Sequence, residues 1–557
     1  MEFVPTPEQS SLIYDSIDGG GSALVIAGPG TGKSRTAIEA ARRKIAGFAE
    51  DSREQVLFLS FSNAAIQRLV AAAGVVLSNE ERRRLRFQTY HSLAADILRA
   101  YGRFCGLPPK VRVADKLEER LLALERDWPS EESGVENAVL DLARSEGILT
   151  FDVLIPLATA LVAGSTTLAT IIGRRYPLII ADEFQDTSAG QWRLLQVVGT
   201  NSQVLAFGDP NQIIYSSMHA ATAARLDEFA RWKGVKATQF SHTNFRCGIP
   251  SILEFANCLL NGKKLAPGQH SGVQLVDAKY RNQLRACLAI IWKNIYTKVG
   301  PKQTIAFLAP ANDLVEQIAV ELRSPPADSP IPFPVYAQMA RDEAACDAVL
   351  LGLAALRDLA MNQSQNRTKR AAIALLAMNS MWNRRFKIGT TALAAMTEIL
   401  DAARNGDGSP MASLITSLGT GLTPTTQIPL LLNALGSRKE FQKAVSRISA
   451  HGRLPLEMVS SPGGQLSLFD SCRTSRLPKG LSGDNAWARK THVLTYHKAK
   501  GREFDFVVMV VEPRCEASKP PLDERRRLYY VCATRAKKWL GVIHFGKDRG
   551  PVLGAVV

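Results

Sequence analysis

The sequence has few cysteines and no long apolar run, and both absences narrow the class of protein. Its eight cysteines are scattered through 557 residues, and the pair Cys247 and Cys258 lacks the spacing of a zinc or iron–sulfur site. Apolar stretches such as 506–511 are strand-sized and too short to cross a bilayer. The amino terminus shows neither a basic nor an apolar leader segment. We therefore expect a soluble, cytoplasmic protein without a disulfide framework.

Positive charge, in contrast, is in excess. The chain has 68 Lys and Arg against 52 Asp and Glu, a formal net charge of +16, and its hydrophobic content of 46% is enough for a buried core. Such an excess favours a polyanionic partner. A protein that is merely basic is the alternative, and composition alone does not decide between them. The length predicts three or four domains, or a split core with insertions.

Strand-like and helix-like segments alternate at the start of the chain. Short apolar runs at 23–27 and 56–60 each precede a helical pattern, at 34–46 and 63–73. Alternation of this kind is typical of parallel sheets and predicts an α/β fold. Further strands are expected at 177–181, 204–207, 304–309 and 507–511.

A glycine-rich turn follows the first expected strand. It reads Ala27-Gly28-Pro29-Gly30-Thr31-Gly32-Lys33-Ser34. Its glycines allow backbone N–H groups to surround phosphates, while Lys33 can neutralise them and the Ser34 hydroxyl can bind Mg²⁺. The strict phosphate-loop pattern has glycine where Ala27 stands, and a chance glycine-rich turn is the alternative.

Two adjacent acids end the strand expected at 177–181. Asp182 is a candidate Mg²⁺ ligand, and Glu183 is a candidate base for the attacking water. An apolar strand followed by two acids is common and usually structural. Together with the loop ending in Lys33 and Ser34, however, it predicts a nucleoside triphosphatase that uses ATP and Mg²⁺.

An ordered series of further motifs decides between the many kinds of P-loop protein. They are SFSN at 60–63, TYHS at 89–92, DEFQD at 182–186, GDPNQIIY at 208–215, NFR at 244–246, TYHKAKGREFD at 495–505 and RRLYYVCATRA at 526–536. In this order the series resembles the superfamily 1 helicases of the UvrD/Rep/PcrA group, from residue 5 to about residue 540. The resemblance implies two RecA-like P-loop cores with parallel sheets, each carrying a mainly helical insertion.

The resemblance and the composition together give expected domain boundaries. A stretch at about 460–485, rich in Gly, Ser and Pro, is expected to be flexible. The expected parts are a first core at 1–98 and 173–243 with the ATP site, its insertion at 99–172, a second core at 244–340 and 486–557, and its insertion at 341–485.

Roles at the ATP site follow from the resemblance. Gln9 matches the glutamine that reads adenine, Gln212 the γ-phosphate sensor, and Glu503 an acid that contacts ribose. Arg246 and Arg535 match the two arginines that reach the γ-phosphate from the second core, although a surface salt bridge is the alternative for either one. The expected nucleotide-binding residues are completed by Gly28, Gly30, Thr31, Gly32, Lys33, Ser34 and Arg35.

A track for single-stranded DNA is also implied by the resemblance. Aromatic faces in such a track stack on any base and so bind without sequence preference. For Tyr90 a core position is the alternative. Similar helicases continue Arg-Trp-Arg-Gly where this chain has Ser216-Ser217-Met218-His219, so one stacking platform is missing. The residues matched to the track are Phe61, Asn63, Tyr90, His91, Tyr215 and His497.

The leading hypothesis is an ATP-dependent translocase and helicase that acts on single-stranded and partially duplex DNA in repair, replication or anti-phage defence. The resemblance implies 3′→5′ movement. The alternative is a DNA- or nucleotide-sensing ATPase subunit that regulates a partner nuclease and unwinds weakly. A DNA-binding module with an inactive ATPase is disfavoured because every catalytic position named above is filled.

Two partner predictions follow. The chain ends soon after Arg535 and resembles the helicase subunits of Gabija-type anti-phage systems, which implies a separate nuclease. The segment Gln465-Leu466-Ser467-Leu468-Phe469 resembles the short peptide that docks on the bacterial sliding clamp. A chance match, with Leu468 and Phe469 anchoring a loop, is the alternative there.

Overall fold

The protein is represented here by a computed structural model. The residues that the structure describes are 3–114, 118–119, 122, 132–214, 224–241, 243–266, 272–295, 298–299, 303–323, 337–339, 343–361, 365–378, 388–419, 424–436, 438, 441–442, 445, 491–512 and 521–556. Tyr215, the segments 216–219 and 465–469, and the stretch 460–485 lie outside them, so the predictions made for these residues stay predictions.

Fourteen strands occur among the described residues. They are β1 Ala23–Ile26, β2 Val56–Ser60, β3 Leu85–Thr89, β4 Arg112–Val113, β5 Ile148–Leu149, β6 Leu178–Asp182, β7 Gln203–Gly208, β8 Ala237–Gln239, β9 Val273–Ala278, β10 Ile305–Ala309, β11 Ala337–Met339, β12 Thr491–Thr495, β13 Phe504–Val511 and β14 Ala536–Phe545. All six apolar runs predicted as strands are strands, with ends that shift by three residues at most. The pair β4–β5 was not anticipated in a segment expected to be helical.

The two larger sheets are both parallel. The first has the order β3-β2-β6-β7-β1-β8 and the second the order β11-β12-β10-β13-β14-β9. β2 and β6 are buried along their whole length, which explains why they read as continuous apolar runs: helices cover both faces of such sheets. The predicted α/β class is therefore confirmed.

Helices connect and cover these strands. The helices predicted at 34–46 and 63–73 occupy 33–45 and 63–76, so their positions are confirmed. The described helices of eight or more residues are Lys33–Ile45, Asn63–Val76, Tyr90–Tyr101, Glu132–Glu146, Phe151–Ala163, Thr166–Arg175, Ala189–Val198, Ala224–Lys233, Pro250–Asn261, Leu284–Ile295, Asn312–Arg323, Glu343–Met361, Gln365–Ala377, Thr390–Arg404, Pro410–Gly419, Pro424–Gly436 and Leu522–Ala533.

The chain divides into two compact units. One comprises 1–111, 152–340 and 488–557 and contains both six-stranded sheets; the other comprises 112–151 and 341–487. The second unit has a helical core of its own, in which Leu351, Leu375, Leu414 and Phe441 are fully buried. The division into two cores with separate insertions stays a prediction.

No single helix among the described residues is long and apolar enough to cross a membrane. Only the bent pair Phe151–Ala163 and Thr166–Arg175 has the length and composition, and then only when the two helices are taken together.

The buried histidine of β12 makes stability depend on pH. His492 is 2% exposed and packs 5.3 Å from the ring of Phe504; its burial, with a contribution from Arg502, lowers its pKa from 6.5 to about 4. The unfolded chain therefore binds a proton at a pH where the folded chain does not. His492 thus contributes stability fully above the unfolded pKa, and this is lost as pH falls toward the folded one.

We expect the thermal midpoint to be lower at about pH 5 than at about pH 7.5, with His492 reducing the free energy of unfolding by up to about 2 kcal/mol over that range. His492→Leu should reduce the difference between the two pH values, because the leucine cannot be protonated. Calorimetry of both proteins at both pH values measures this. An unchanged difference in the variant would show that other groups cause the pH dependence.

Candidate nucleotide site

The loops that follow four neighbouring strands of the first sheet meet at one edge. β1 pairs with β7 on one side and β8 on the other, and β6 pairs with β7, all in parallel. Because parallel strands end at the same edge, the glycine-rich loop after β1, the acids after β6, the loop after β7 and the Asn244–Arg246 segment after β8 come together.

The glycine-rich loop has the backbone of a phosphate-binding turn. Gly30 and Gly32 have φ of 79° and 89°, which favour glycine, and Gly32 caps the amino end of the helix Lys33–Ile45. The Lys33 ammonium donates to the Ala27 carbonyl at 2.9 Å, and the Thr31 hydroxyl donates to the Gly28 carbonyl at 2.9 Å. A helix amino end with an adjacent lysine is suited to a phosphate group.

Asn244 holds this loop against the segment after β8. Its amide nitrogen donates to the Pro29 carbonyl at 2.7 Å, and its amide oxygen accepts from the backbone N–H groups of Arg246 and Cys247, each at 2.8 Å. A Cβ at Gly30 would lie 2.3 Å from that oxygen, so the close approach requires glycine. Asn244 therefore fixes Arg246 relative to the phosphate loop.

Gln9 lies under the same loop. It is 1% exposed; its amide oxygen accepts from the Thr6 N–H at 3.0 Å and its amide nitrogen donates to the Thr31 carbonyl at 3.0 Å. The exposed ring of Phe245 is close by, 3.8 Å from a Cβ built on Gly32. The position suits a residue that faces a base, and the adenine contact of Gln9 stays a prediction.

The two acids that end β6 are buried, and the charged groups around them shift their pKa values in opposite directions. Burial and the neighbouring Glu183 raise the pKa of Asp182, although Arg68 and Lys33 oppose this. Burial alone would also raise the pKa of Glu183, but Lys33, Lys500 and Arg68 hold it below its ordinary value. Glu183 is thus kept ionised, as a general base must be.

Glu183 also has an unusual backbone. Among the described residues other than glycine, it alone has a positive φ, 51°. Strain of this kind persists where neighbouring contacts hold it. Here the Gln185 amide nitrogen donates to the Glu183 carboxylate at 2.7 Å, which fixes the direction of that side chain.

Gln185 begins a buried chain of hydrogen bonds that leads out of the first sheet. Its amide oxygen accepts from the Asp209 N–H at 3.0 Å, and the Asp209 carboxylate accepts from the Gln212 amide at 2.6 Å. Gln212 then accepts from the Arg535 guanidinium at 3.0 Å. Glu183 of the first sheet is therefore linked to an arginine of the second. We call this set of five residues the relay.

The second sheet contributes its residues from the amino ends of two adjacent strands. Glu503 precedes β13 and Arg535 precedes β14, and the Phe504 N–H donates to the Arg535 carbonyl at 3.0 Å. Arg535 is 1% exposed, and burial, with Arg246 nearby, lowers its pKa to about 10. The carboxylates of Glu503 and Glu183 partly oppose this lowering of the pKa.

The two terminal nitrogens of the Arg246 guanidinium differ in their partners. Its Nη2 lies 2.6 Å from the Glu503 carboxylate, whereas its buried Nη1 has no hydrogen-bond partner among the described residues. An unpaired buried donor costs free energy that an anionic ligand would recover. Together with the loop at Lys33, this unpaired donor fits a phosphate between Arg246 and the first sheet.

The described residues contain no cluster of three or more His, Cys, Asp or Glu that would hold a metal by itself. Asp182 and Ser34 are the candidate Mg²⁺ ligands: Ser34 begins the helix after the phosphate loop, and Asp182 ends β6 at the same edge of the sheet. Mg²⁺ is commonly bound through one or two protein oxygens together with substrate phosphates. The residues present therefore fit a metal that arrives with a nucleotide.

Arg35 and the expected DNA track occupy different environments. Arg35 pairs with Glu39 at 2.8 Å. Asn63 is exposed, whereas Phe61, His91 and His497 are half-buried. Their use as a DNA track stays a prediction.

Tyr90 is 1% exposed, and burial raises its pKa to about 12. This favours the core position that the sequence left open, so stacking on a base by Tyr90 stays a prediction.

Several residues of this site were missed from the sequence. Gln185 and Asn244 lie in motifs that had been recognised, but their amide side chains carried no charge or aromatic ring to draw attention. Phe245 had a signal, an aromatic residue next to Arg246. Arg68 and Lys500 reach the acids from other parts of the chain, and spacing alone does not reveal such contacts.

Two family models match the chain at this site. One, described as an AAA domain, matches residues 16–218, and the other, described as a UvrD-like helicase C-terminal domain, matches residues 490–543. The first includes the phosphate loop and the second includes Glu503 and Arg535. The chain is therefore similar to the UvrD/Rep/PcrA group of superfamily 1. The resemblance inferred from its motifs is thereby confirmed.

This UvrD-like chain is similar to several curated proteins. ATP-dependent DNA helicase Rep of Escherichia coli (strain K12) is 24% identical over 285 residues, which cover 43% of this chain and 41% of Rep. ATP-dependent DNA helicase PcrA of Leuconostoc citreum is 24% identical over 285 residues, covering 43% of this chain and 37% of PcrA. RecBCD enzyme subunit RecB of Mycobacterium tuberculosis (strain ATCC 25618 / H37Rv) is 42% identical over 65 residues, 12% of this chain and 6% of RecB. These matches span less than half of each relative.

The buried pair Lys500 and Asp186 offers a test of the contact between the sheets. The Lys500 ammonium, from the second sheet, contacts both the Asp186 carboxylate and the Gln212 carbonyl at 2.5 Å. Burial raises the pKa of Asp186 to about 6, and Lys500 limits that rise. Lys500→Met should lower the free energy of unfolding by about 3–5 kcal/mol, because a buried carboxylate loses its cation.

The loss should be smaller at about pH 5.5 than at about pH 8, since a protonated Asp186 needs no cation. Calorimetry at both pH values measures it. Arg43→Met is the matched control, because Arg43 pairs with Asp18 at the exposed surface and should not shift the midpoint. Equal destabilisation by the two variants would contradict the assigned contact.

Proposed function

We propose that this UvrD-like chain is an ATP-dependent translocase and helicase of single-stranded and partially duplex DNA. The observation that carries the proposal is the relay from Glu183 to Arg535. It links the acid positioned to activate water in one sheet with an arginine of the other sheet, so that hydrolysis and the contact between the sheets depend on each other. The Rep and PcrA relatives, both called ATP-dependent DNA helicases, support the same assignment.

Each part of the site has a task in ATP hydrolysis. The loop N–H groups and Lys33 hold the phosphates, while Arg246 and Arg535 stabilise charge that develops on the transferred phosphoryl group. Glu183 orients the attacking water and takes its proton. Asp182 and Ser34 would hold Mg²⁺, which neutralises phosphate charge when bound.

Movement follows from where these groups originate. Lys33 and Glu183 follow strands of the first sheet, whereas Arg535 precedes a strand of the second sheet. Arg246 follows β8 of the first sheet but pairs with Glu503 of the second at 2.6 Å, so a γ-phosphate held by both arginines would join the two sheets. A bound triphosphate therefore favours the closed arrangement, and hydrolysis removes that preference. If the two sheets grip a DNA strand with different strength in the two states, each cycle advances the protein, and the family resemblance supports 3′→5′ travel.

Substitutions of Lys33 and Glu183 test the roles assigned to them in ATP binding and hydrolysis. Lys33→Ala should abolish binding of ATP, because the ammonium that neutralises phosphate is lost. Glu183→Gln should keep binding but lower kcat by about 10²-fold or more, since the base is lost. Fluorescent-nucleotide titration and phosphate release measure the two effects separately. Normal turnover by either variant would contradict the assigned roles.

Phe245 provides a test of base recognition. Its ring is 61% exposed beside Gly32 and Gln9, and we propose that adenine stacks on it. Phe245→Ala should raise the KM for ATP by about tenfold or more, with a smaller change in kcat, because base stacking on an aromatic ring contributes about 1–3 kcal/mol.

Steady-state kinetics measure both constants. Tyr280→Ala, which removes another exposed aromatic ring, is the matched control and should leave KM unchanged. An equal effect of the two variants would exclude stacking on Phe245.

Strand displacement distinguishes the helicase from the second candidate function. Substrates with a 3′ or a 5′ single-stranded overhang should be unwound only from the 3′ overhang. The sequence Ser216–His219, in place of Arg-Trp-Arg-Gly, favours a DNA- or nucleotide-sensing ATPase that regulates a partner nuclease. DNA-stimulated hydrolysis without displacement would support that second candidate.

The biological pathway and the protein partners are further proposals. Roles in DNA repair, or in anti-phage defence with a separate nuclease, are proposals that rest on the resemblance of the motifs. Clamp binding through 465–469 predicts that Leu468→Ala with Phe469→Ala abolishes clamp capture.

A further inference from the structure

Arg68 lies between the two acids and the second sheet. It belongs to the helix Asn63–Val76. Its Nη2 is 3.2 Å from Asp182 Oδ2 and 3.8 Å from Glu183 Oε1, and its Nη1 donates to the Gly501 carbonyl at 3.2 Å. One guanidinium therefore contacts both acids of β6 and the loop before β13.

The position of Arg68 is governed by the charge of the acid pair. Burial would lower its pKa, but Asp182, Glu183 and Glu503 raise it overall. Asp182 and Glu183 are both buried, and two adjacent buried carboxylates repel each other unless a cation lies between them. Arg68 supplies that cation in the described structure.

A nucleotide-bound metal would need the same carboxylate. Asp182 is the acid proposed to hold Mg²⁺, and its Oδ2 already accepts from Arg68. A divalent cation at Asp182 would neutralise the acid and repel the guanidinium, because two like charges a few ångströms apart interact strongly in a partly buried site.

We propose that Arg68 is a metal-exchange residue, which occupies the Asp182–Glu183 pair when no divalent cation is bound and leaves Asp182 when the metal arrives. Since the same guanidinium donates to Gly501, its departure also releases one contact between the first sheet and the loop before β13. Arrival of the metal is in this way communicated to the second sheet. The inference rests on the proposed nucleotide and metal site.

The decisive quantity is how much Mg²⁺ strengthens nucleotide binding. The dissociation constant of a fluorescent ADP analogue is measured with Mg²⁺ and with EDTA, and their ratio reports the coupling between metal and nucleotide. In the wild type, the metal must displace Arg68. Arg68→Gln removes this competitor, so the ratio should rise by about tenfold. Arg68→Lys keeps the charge and should stay within about twofold of the wild type.

A purely structural role gives a different result. It would weaken analogue binding equally in Mg²⁺ and EDTA and leave the ratio unchanged, which would overturn the proposal. Arg43→Gln, at an exposed ion pair, is the matched control and should change neither constant. Asp182→Asn should bring the ratio close to one, which locates the metal.

The outcomes separate this inference from the proposed function. If Mg²⁺ strengthens analogue binding by the same factor in the wild type and in Arg68→Gln, the proposed role of Arg68 is wrong, whereas the metal site is still supported. Absence of analogue binding, or of any Mg²⁺ effect, in the wild type overturns the nucleotide or metal site itself and the inference with it.

A measurement on the wild type needs no variant to fold. Hydrogen–deuterium exchange of the segment 500–503 in the ADP complex should be faster with Mg²⁺ than with EDTA, since the contact to Gly501 is released. Identical exchange in the two conditions would contradict the proposed displacement.

Discussion

The hydrogen bond between Gln212 and Arg535 joins the two parallel sheets at the point where a nucleotide would bind, and the other contacts of the site depend on it. Gln212 is oriented by Asp209, Asp209 by Gln185, and Gln185 in turn directs Glu183. Each polar side chain in this series of hydrogen bonds is buried. Breaking one bond therefore leaves a donor or acceptor with neither a protein partner nor water, which costs free energy. Glu183, the acid proposed to activate water, and Arg535 of the second sheet are therefore positioned as one unit.

Electrostatics explain why this unit needs a ligand. Burial lowers the pKa of both Arg246 and Arg535, because removal from water disfavours the charged guanidinium. On the first sheet, Asp182 and Glu183 create the opposite problem and are balanced by Arg68. A nucleotide with its metal would relieve both, since its phosphates would lie near the arginines and Asp182 would hold the metal. Closure of the site would then be favoured by the ligand rather than by the protein alone.

The α/β fold class and the order of the motifs could be predicted from the sequence, but the contacts between the motifs could not. Strands such as β2 and β6 were predicted because apolar runs between turns are read directly from the chain, and the glycine-rich loop was recognised because phosphate binding requires glycine at Gly30 and Gly32. Arg68, Lys500 and Asn244 escaped because their partners are distant in sequence, and only the folded sheets bring them together. Tyr90 is the converse case, in which a motif suggested a contact that burial disfavours. Its motif matched a DNA track, whereas its side chain is buried in the core.

We propose that ATP turnover is coupled to DNA through the contact between Gln212 and Arg535. The most direct measurement is the rate of ATP hydrolysis with and without a single-stranded oligonucleotide, for the wild type, for Gln212→Ala and for Gln203→Ala, a control glutamine that bonds the Ser16 and Gly21 carbonyls elsewhere in the same sheet. DNA should accelerate hydrolysis in the wild type and in Gln203→Ala but not in Gln212→Ala, which should still bind nucleotide. Equal stimulation of all three proteins would contradict it.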